Sequence, residues 1–243
     1  MRIAVVSDLH ANLQAWLAVS SDLAQQHVER IFSLGDLVGY GPNPIEICLL
    51  FRERAVMHLL GNHDAAVCGR TRLDRWNAHA IRSIEWTRKK LKPELIEWLE
   101  TLPLTQTWGP CRFAHSEFSA PEAFYYIQEP KHALRSWRVT KEPLLFVGHT
   151  HRPALYVLGA SGVPHVIEPQ PFIMEPGKRY LVNVGSVGFP RERLNVASYC
   201  IFDSTEGSVR WRSVNFDCNA YRMALRAYGF DDPRKGEFHD EPD

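Results

Sequence analysis

Short apolar runs alternate with longer periodic stretches from the N-terminus onward. Ile3-Ala4-Val5-Val6 is too short for a helix and rich in β-branched side chains, which suits a buried strand. It stops at Ser7-Asp8-Leu9-His10. Leu13, Trp16, Leu17, Ser20 and Ala24 then recur at helical spacing and predict an amphipathic helix from about Asn12 to Gln26. Ile31-Phe32-Ser33-Leu34 reads as the next strand, closed by Gly35-Asp36. A helix follows over Ile45 to Phe51, entered through Pro42-Asn43-Pro44, and a third strand over Val56 to Leu60 ends at Gly61. A strand–helix–strand–helix–strand opening predicts an α/β sheet with right-handed crossovers.

The middle of the chain is helical. Ala80, Ile81, Ile84, Arg88 and Leu91 make one periodic segment, and Pro93 opens a second at Glu94-Leu95-Ile96-Glu97-Trp98-Leu99. Short strands return at Arg112–Ala114, Leu144–Val147, Ala154–Leu158, Tyr180–Val184, Ser198–Phe202 and Val209–Val214. Gly159–Gly162 and the stretch from Pro164 to Pro176 read as turns and a hairpin. The end, Asp231 to Asp243, is acidic, contains Pro and Gly and has little to bury, so a frayed, flexible tail is expected there. With no repeat and no linker, residues 1–230 are expected to form one domain.

Composition narrows the function more than the fold. The chain has 243 residues, 45% hydrophobic and 23% charged, an ordinary globular balance. Lys and Arg number 28 against 28 Asp and Glu, which removes the simplest argument for a nucleic-acid binder, since such affinity comes from many cationic contacts to phosphate. No apolar run approaches the ~20 residues that span a bilayer, and the N-terminus lacks a signal-peptide core, so no membrane association is expected. The five cysteines are odd in number and never spaced C-x-x-C, which suits reduced thiols in the cytoplasm.

The anomaly is 11 histidines, several clustered with Asp, Asn and Gly. Five segments follow one grammar, an apolar run and then a polar cluster: Asp8-Leu9-His10, Gly35-Asp36, Gly61-Asn62-His63-Asp64, His115, and Gly148-His149-Thr150-His151. Ligand sites of α/β sheets form outside the carboxyl ends of strands, so these clusters are expected to converge on one crevice. Taken singly, Asp8-Leu9-His10 also reads as a turn with a helix cap, Gly35-Asp36 as a turn, and His115 as an ordinary buried histidine. Asn62 cannot titrate and suits an oxygen ligand, which leaves His63 free to handle protons. Their joint occurrence, each after its own strand, outweighs the separate readings.

This ordered set resembles the calcineurin-like metallophosphoesterases, whose pattern runs D-x-H, G-D, G-N-H-D/E, a lone His and G-H-x-H. The resemblance extends from residue 3 to about residue 203. Gly35-Asp36-Leu37-Val38-Gly39-Tyr40-Gly41-Pro42-Asn43-Pro44, Glu85-Trp86-Thr87-Arg88 and Asn183-Val184-Gly185-Ser186-Val187-Gly188 are similar to a compact prokaryotic branch. That branch groups with symmetric diadenosine tetraphosphatases and serine/threonine phosphatases. Phe189 stands where the branch carries Gln. The resemblance implies a four-layer α-β-β-α sandwich of two mixed sheets flanked by helices, with a dimetal site at the strand ends.

It also implies two divalent ions. Asp8, His10, Asp36 and His151 would hold the first, and Asp36, Asn62, His115 and His149 the second, with the Asp36 carboxylate shared. Mixed imidazole, carboxylate and amide donors suit Mn²⁺, Fe, Zn²⁺ or Co²⁺. The implied reaction is hydrolysis of phosphate mono- or diesters by a hydroxide generated at the dinuclear centre. His63 is the candidate general acid, or an imidazolium that stabilises charge on the phosphoryl oxygens, with Asp64 expected to accept its other ring N–H and raise its pKa. Asn12, Asn62 and Arg191 are candidate substrate contacts, and Tyr40 a residue of the mouth. Asn12 reads at least as well as a helix cap, and Arg191 reads better as a solvated surface residue. The expected partner is a small phosphoester, a nucleotide or a phosphoprotein. The competing readings are a catalytically silent scaffold for a protein partner, a dinucleoside polyphosphate hydrolase and a nuclease.

Overall fold

In the computed structural model, residues 1–53, 57–74 and 76–232 are described, and they form two six-stranded mixed sheets packed face to face. The first holds β1 (Arg2–Val6), β2 (Arg30–Ser33), β3 (Met57–His58), β9 (Phe172–Ile173), β11 (Val196–Asp203) and β12 (Ser208–Asn215), in the order β3-β2-β1-β11-β12-β9. The second holds β4 (Thr105–Trp108), β5 (Cys111–Ala114), β6 (Leu144–Val147), β7 (Pro153–Leu158), β8 (Pro164–Ile167) and β10 (Arg179–Val184), in the order β4-β5-β6-β10-β7-β8. Parallel pairing is confined to β1, β2 and β3 in one sheet and to β5, β6 and β10 in the other. All of those strands except β10 feed the polar clusters.

The apolar runs are buried on both faces, and their alternation builds the layers. Ile3 and Val5 of β1 and Phe32 of β2 face Phe113, Leu144, Phe146 and Val182 of the second sheet. Ala4 and Val6 point the other way, into a cluster with Trp16 and Val19 of α1 (Leu13–Gln25) and Phe51 of α2 (Pro44–Glu53). In β6, Leu144 and Phe146 turn inward while Leu145 and Val147 meet Trp137 of α6 (Pro130–Val139). A period of two in side-chain direction thus yields helix, sheet, sheet, helix. The same layer takes in α4 (Ala78–Lys90), α5 (Pro93–Glu100) and α7 (Cys218–Ala227) through Ile84, Leu95 and Tyr221.

Most predicted elements recur with shifted ends. The third strand shrinks to Met57–His58, and Val56 lies outside the described residues. The stretch from Pro164 to Pro176 contains the short strands β8 and β9. Three helices were not expected: α3 (Asn62–Val67), which begins inside the Gly-Asn-His-Asp block, α6 and α7. The tail expected from Asp231 is anchored at its start. Arg222 reaches the Asp232 carboxylate at 2.9 Å, and residues 233–243 lie outside those described. No helix among the described residues is long and apolar enough to cross a membrane.

Candidate metal centre

Strand ends supply the ligand-type side chains, and the backbone there takes an unusual form. Asp8, His10, Asp36, His149 and His151 all have φ between +45° and +66°. This left-handed region admits Asp and His more readily than branched residues, and each such position costs of order 1 kcal/mol. Its effect is to fold the side chains of successive loops back onto one point. Close approach demands glycine at two places. A Cβ on Gly61 would strike the Asp36 carboxylate, and one on Gly148 would strike Ser7 and Asp8.

Asp8, His10, Asp36 and His151 bring one donor atom each within 4.8 Å of one another, and Asp36, His115 and His149 form a second such group. His10 Nε2 lies 3.0 Å from His151 Nε2 and 3.6 Å from Asp36 Oδ2. His115 Nε2 lies 3.0 Å from Asn62 Oδ1, 3.2 Å from His149 Nδ1 and 3.4 Å from Asp36 Oδ2. The two groups share Asp36, the division that the sequence resemblance implied. Asn62, too, sits beside the second group.

Backbone groups aim these donors. The Nδ1–H groups of His10, His115 and His151 donate to the carbonyls of Val38, Leu34 and Phe189 at 3.2, 3.1 and 2.8 Å. That tautomer leaves each Nε2 lone pair directed at the cage. The carboxylates are divided in the same way. Asp8 Oδ2 accepts the His149 N–H at 3.1 Å and Asp36 Oδ1 accepts the His63 N–H at 2.8 Å. Asp8 Oδ1 and Asp36 Oδ2 are buried with no hydrogen-bond partner among the described residues. Buried, orphaned carboxylate oxygens are costly unless a cation meets them.

Charge tells the same story. Burial works against ionisation of Asp8 and Asp36, but neighbouring histidines outweigh it and hold both carboxyls below their ordinary range. Burial also opposes a charged His115, yet Asp36 and Asp8 push it up to about 9. Imidazole, carboxylate and amide donors fit Mn²⁺, Fe, Zn²⁺ or Co²⁺, and no thiolate lies in either group.

The remaining expected site residues divide. His63, on α3, packs its ring edge-on to His10 and Trp76, with centroids 4.7 Å away in each case, and its Nδ1 is buried with no partner among the described residues. Asp64 does not orient it. Its oxygens accept the Val38 and Gly61 N–H groups at 3.2 and 3.1 Å, so it pins the Gly-Asp loop to the start of α3. Burial takes His63 down to about 4, while burial and Asp36 push Asp64 up to about 7. Asn12 is likewise corrected from substrate contact to cap: its Oδ1 accepts the Ala15 N–H and its Nδ2 donates to the Gly188 carbonyl. Both ends of this fully buried side chain are used. Arg191 lies off the cage, in the wall of a neighbouring cavity.

Three aromatic residues complete the surroundings. Tyr40 stacks on Phe189 with centroids 4.3 Å apart, and Phe189 also packs edge-on against His10 and His151. Tyr126 stacks on His149 at 4.0 Å. The Phe189 departure was legible in the chain, but its contacts with two ligand-type histidines were not. Nothing in the sequence singled out Tyr126.

A dimetal-type cage at the ends of two facing mixed sheets defines a metallophosphoesterase architecture. The chain belongs to the calcineurin-like phosphoesterase superfamily, whose domain model matches residues 1–207. An uncharacterised protein of Methanocaldococcus jannaschii is 37% identical over 229 residues, 92% of each chain. A metallophosphoesterase from Sphaerobacter thermophilus superposes with a TM-score of 0.83 at 35% identity, covering 96% of this chain and 97% of that one. A hypothetical protein of Pyrococcus horikoshii shares the fold at 18% identity, with a TM-score of 0.77 and coverage of 96% and 95%.

Proposed function

We propose that the protein is a metal-dependent phosphoesterase that hydrolyses phosphate mono- or diesters. The observation that carries this reading is the pair of donor groups sharing Asp36, each with a buried carboxylate oxygen that has no hydrogen-bond partner among the described residues. Asp8, His10, Asp36 and His151 would hold one ion, and Asp36, Asn62, His115 and His149 the other. When bound, such a pair supplies Lewis acidity toward a phosphoryl group and acidifies water to near neutral pH.

The chain's own residues do the rest. Backbone carbonyls lock three imidazole tautomers, so the ligands need no rearrangement when the site fills. His63 stands beside His10 with its Nδ1 packed against Gly39, so Nε2 is the ring nitrogen left to meet a phosphoryl or leaving-group oxygen. Its ring is held by Tyr40, Trp76 and His10 rather than by a carboxylate. His63 is therefore a neutral hydrogen-bonding group until an anionic substrate arrives. Asp64 serves the site through the backbone it pins.

The test is chelator stripping followed by assay of a panel of phosphomonoesters, phosphodiesters and dinucleoside polyphosphates with added Mn²⁺. Turnover that vanishes on stripping and returns with the ion is the expected result. A protein that binds metal but hydrolyses none of the panel is a scaffold, and the proposal fails.

A further inference from the structure

Beside the cage lies a cavity of about 450 Å³, within the range of small-molecule sites. The segments that build the cage also build its walls. Thr150 and Arg152, the residues on either side of His151, line it. So does Ile127, the neighbour of the Tyr126 ring that stacks on His149. Arg191 follows Phe189, whose carbonyl orients His151. The cavity and the cage are thus built from the same stretches of chain.

Its chemistry is specific. Tyr156, Val166 and Ile167, from the β7–β8 hairpin, give an apolar wall facing Ile127, and the Tyr156 hydroxyl ties hairpin to loop by donating to the Ile127 carbonyl at 3.2 Å. Gln128 adds an amide able both to donate and to accept. Arg152 and Arg191 are matched by Glu168 and Glu192, so the lining carries no net charge. A second phosphate would want excess cation, and a plain sugar would gain nothing from the apolar wall. A lipid chain would leave the amide and the carboxylates unanswered.

We propose that this cavity holds a nucleobase, so that the phosphoester taken at the cage is a nucleoside phosphate. The proposal rests on the phosphoesterase reading only for placing the phosphate at the ions. It makes the cavity the determinant of specificity, with Ala154 in its lining and Val166, 52% exposed, at its surface.

The test is calorimetric titration of the Mn²⁺-loaded full chain with three probes: adenosine 5′-monophosphate, ribose 5-phosphate and inorganic phosphate. The nucleotide is expected to bind at least about tenfold more tightly than ribose 5-phosphate, the scale on which an apolar pocket discriminates. Ala154→Trp fills the cavity and should erase that advantage while leaving phosphate affinity unchanged. Val166→Asp, at an exposed lining position, should do the same should the tryptophan variant fail to fold. Equal affinity for the nucleotide and ribose 5-phosphate overturns the proposal, as does an advantage that survives either variant. Absence of turnover would sink the phosphoesterase reading and leave this binding result standing.

Discussion

Phe146 and Asp36 are equally hidden, at 0% and 1% exposure, in opposite surroundings. Phe146 lies between the sheets, stacked on Phe113 with centroids 5.4 Å apart and surrounded by aliphatic side chains. Asp36 lies at the strand ends with one oxygen held by a backbone N–H and the other unanswered, on a backbone in the left-handed region. The first region stabilises the fold by burying apolar area. The second costs stability and holds its geometry because the first surrounds it. Burial alone therefore says little about what a residue contributes; the satisfaction of its polar atoms says more.

Separating the two roles experimentally starts with Asp36→Asn. It should abolish turnover and reduce bound metal from two equivalents to at most one, measured by elemental analysis. His63→Ala should keep both equivalents and lose roughly 10²–10⁴ in kcat, the usual worth of one positioned proton-transfer group. Retention of wild-type rate would remove His63 from the mechanism. On the other side, Phe146→Ala should cost about 3–5 kcal/mol in denaturant unfolding. The Asp36→Asn change, measured in chelator, should cost less than that. A larger loss from Asp36→Asn would mean that the carboxylate supports the metal-free fold, contrary to the contrast drawn above.

Smaller effects sharpen the boundary between cage and frame. Asn12→Ala should cost about 1 kcal/mol of stability, the worth of a helix cap. Its KM should stay near wild type, because both ends of the amide are already engaged by Ala15 and Gly188. A large rise in KM with unchanged stability would restore Asn12 as a substrate contact. Far from the site, Arg212 donates to Asp22 at 2.6 and 3.0 Å and, with Tyr199, holds its carboxyl below the usual range despite partial burial. A depressed folded pKa means that the contribution is present above the unfolded value near 3.9 and is lost as pH falls through the folded one. The difference in urea midpoint between wild type and Asp22→Asn should thus persist from pH 7 to about pH 5 and shrink in stronger acid. A pH-independent difference would refute the linkage.

Recognition of both fold and site depended on short-range features. Runs such as Ile3–Val6 and Leu144–Val147 are visible because parallel strands buried on both faces need unbroken apolar residues. Helix α7 escaped because only two of its ten residues, Tyr221 and Leu225, are buried, too few to set a helical period of their own. The polar clusters were legible because each is contiguous and follows its own strand. Asp64 was misassigned because adjacency to His63 suggested a partnership, while its partners are the backbone N–H groups of Gly61 and of Val38, the latter 26 residues away.

The sequence by itself determined the α/β succession of elements, the strand ends that would carry ligands and the donor types offered there, since each depends on neighbours within a few residues. Only the tertiary structure decided which oxygen of each aspartate is left unanswered, which nitrogen of each histidine faces inward, and that Phe189 and Tyr126 wall the site. These depend on backbone donors and acceptors brought together from loops as many as 141 residues apart, as with His149 and Asp8. Hydrogen-bond direction at such distances follows from packing, and packing is not written in any local pattern.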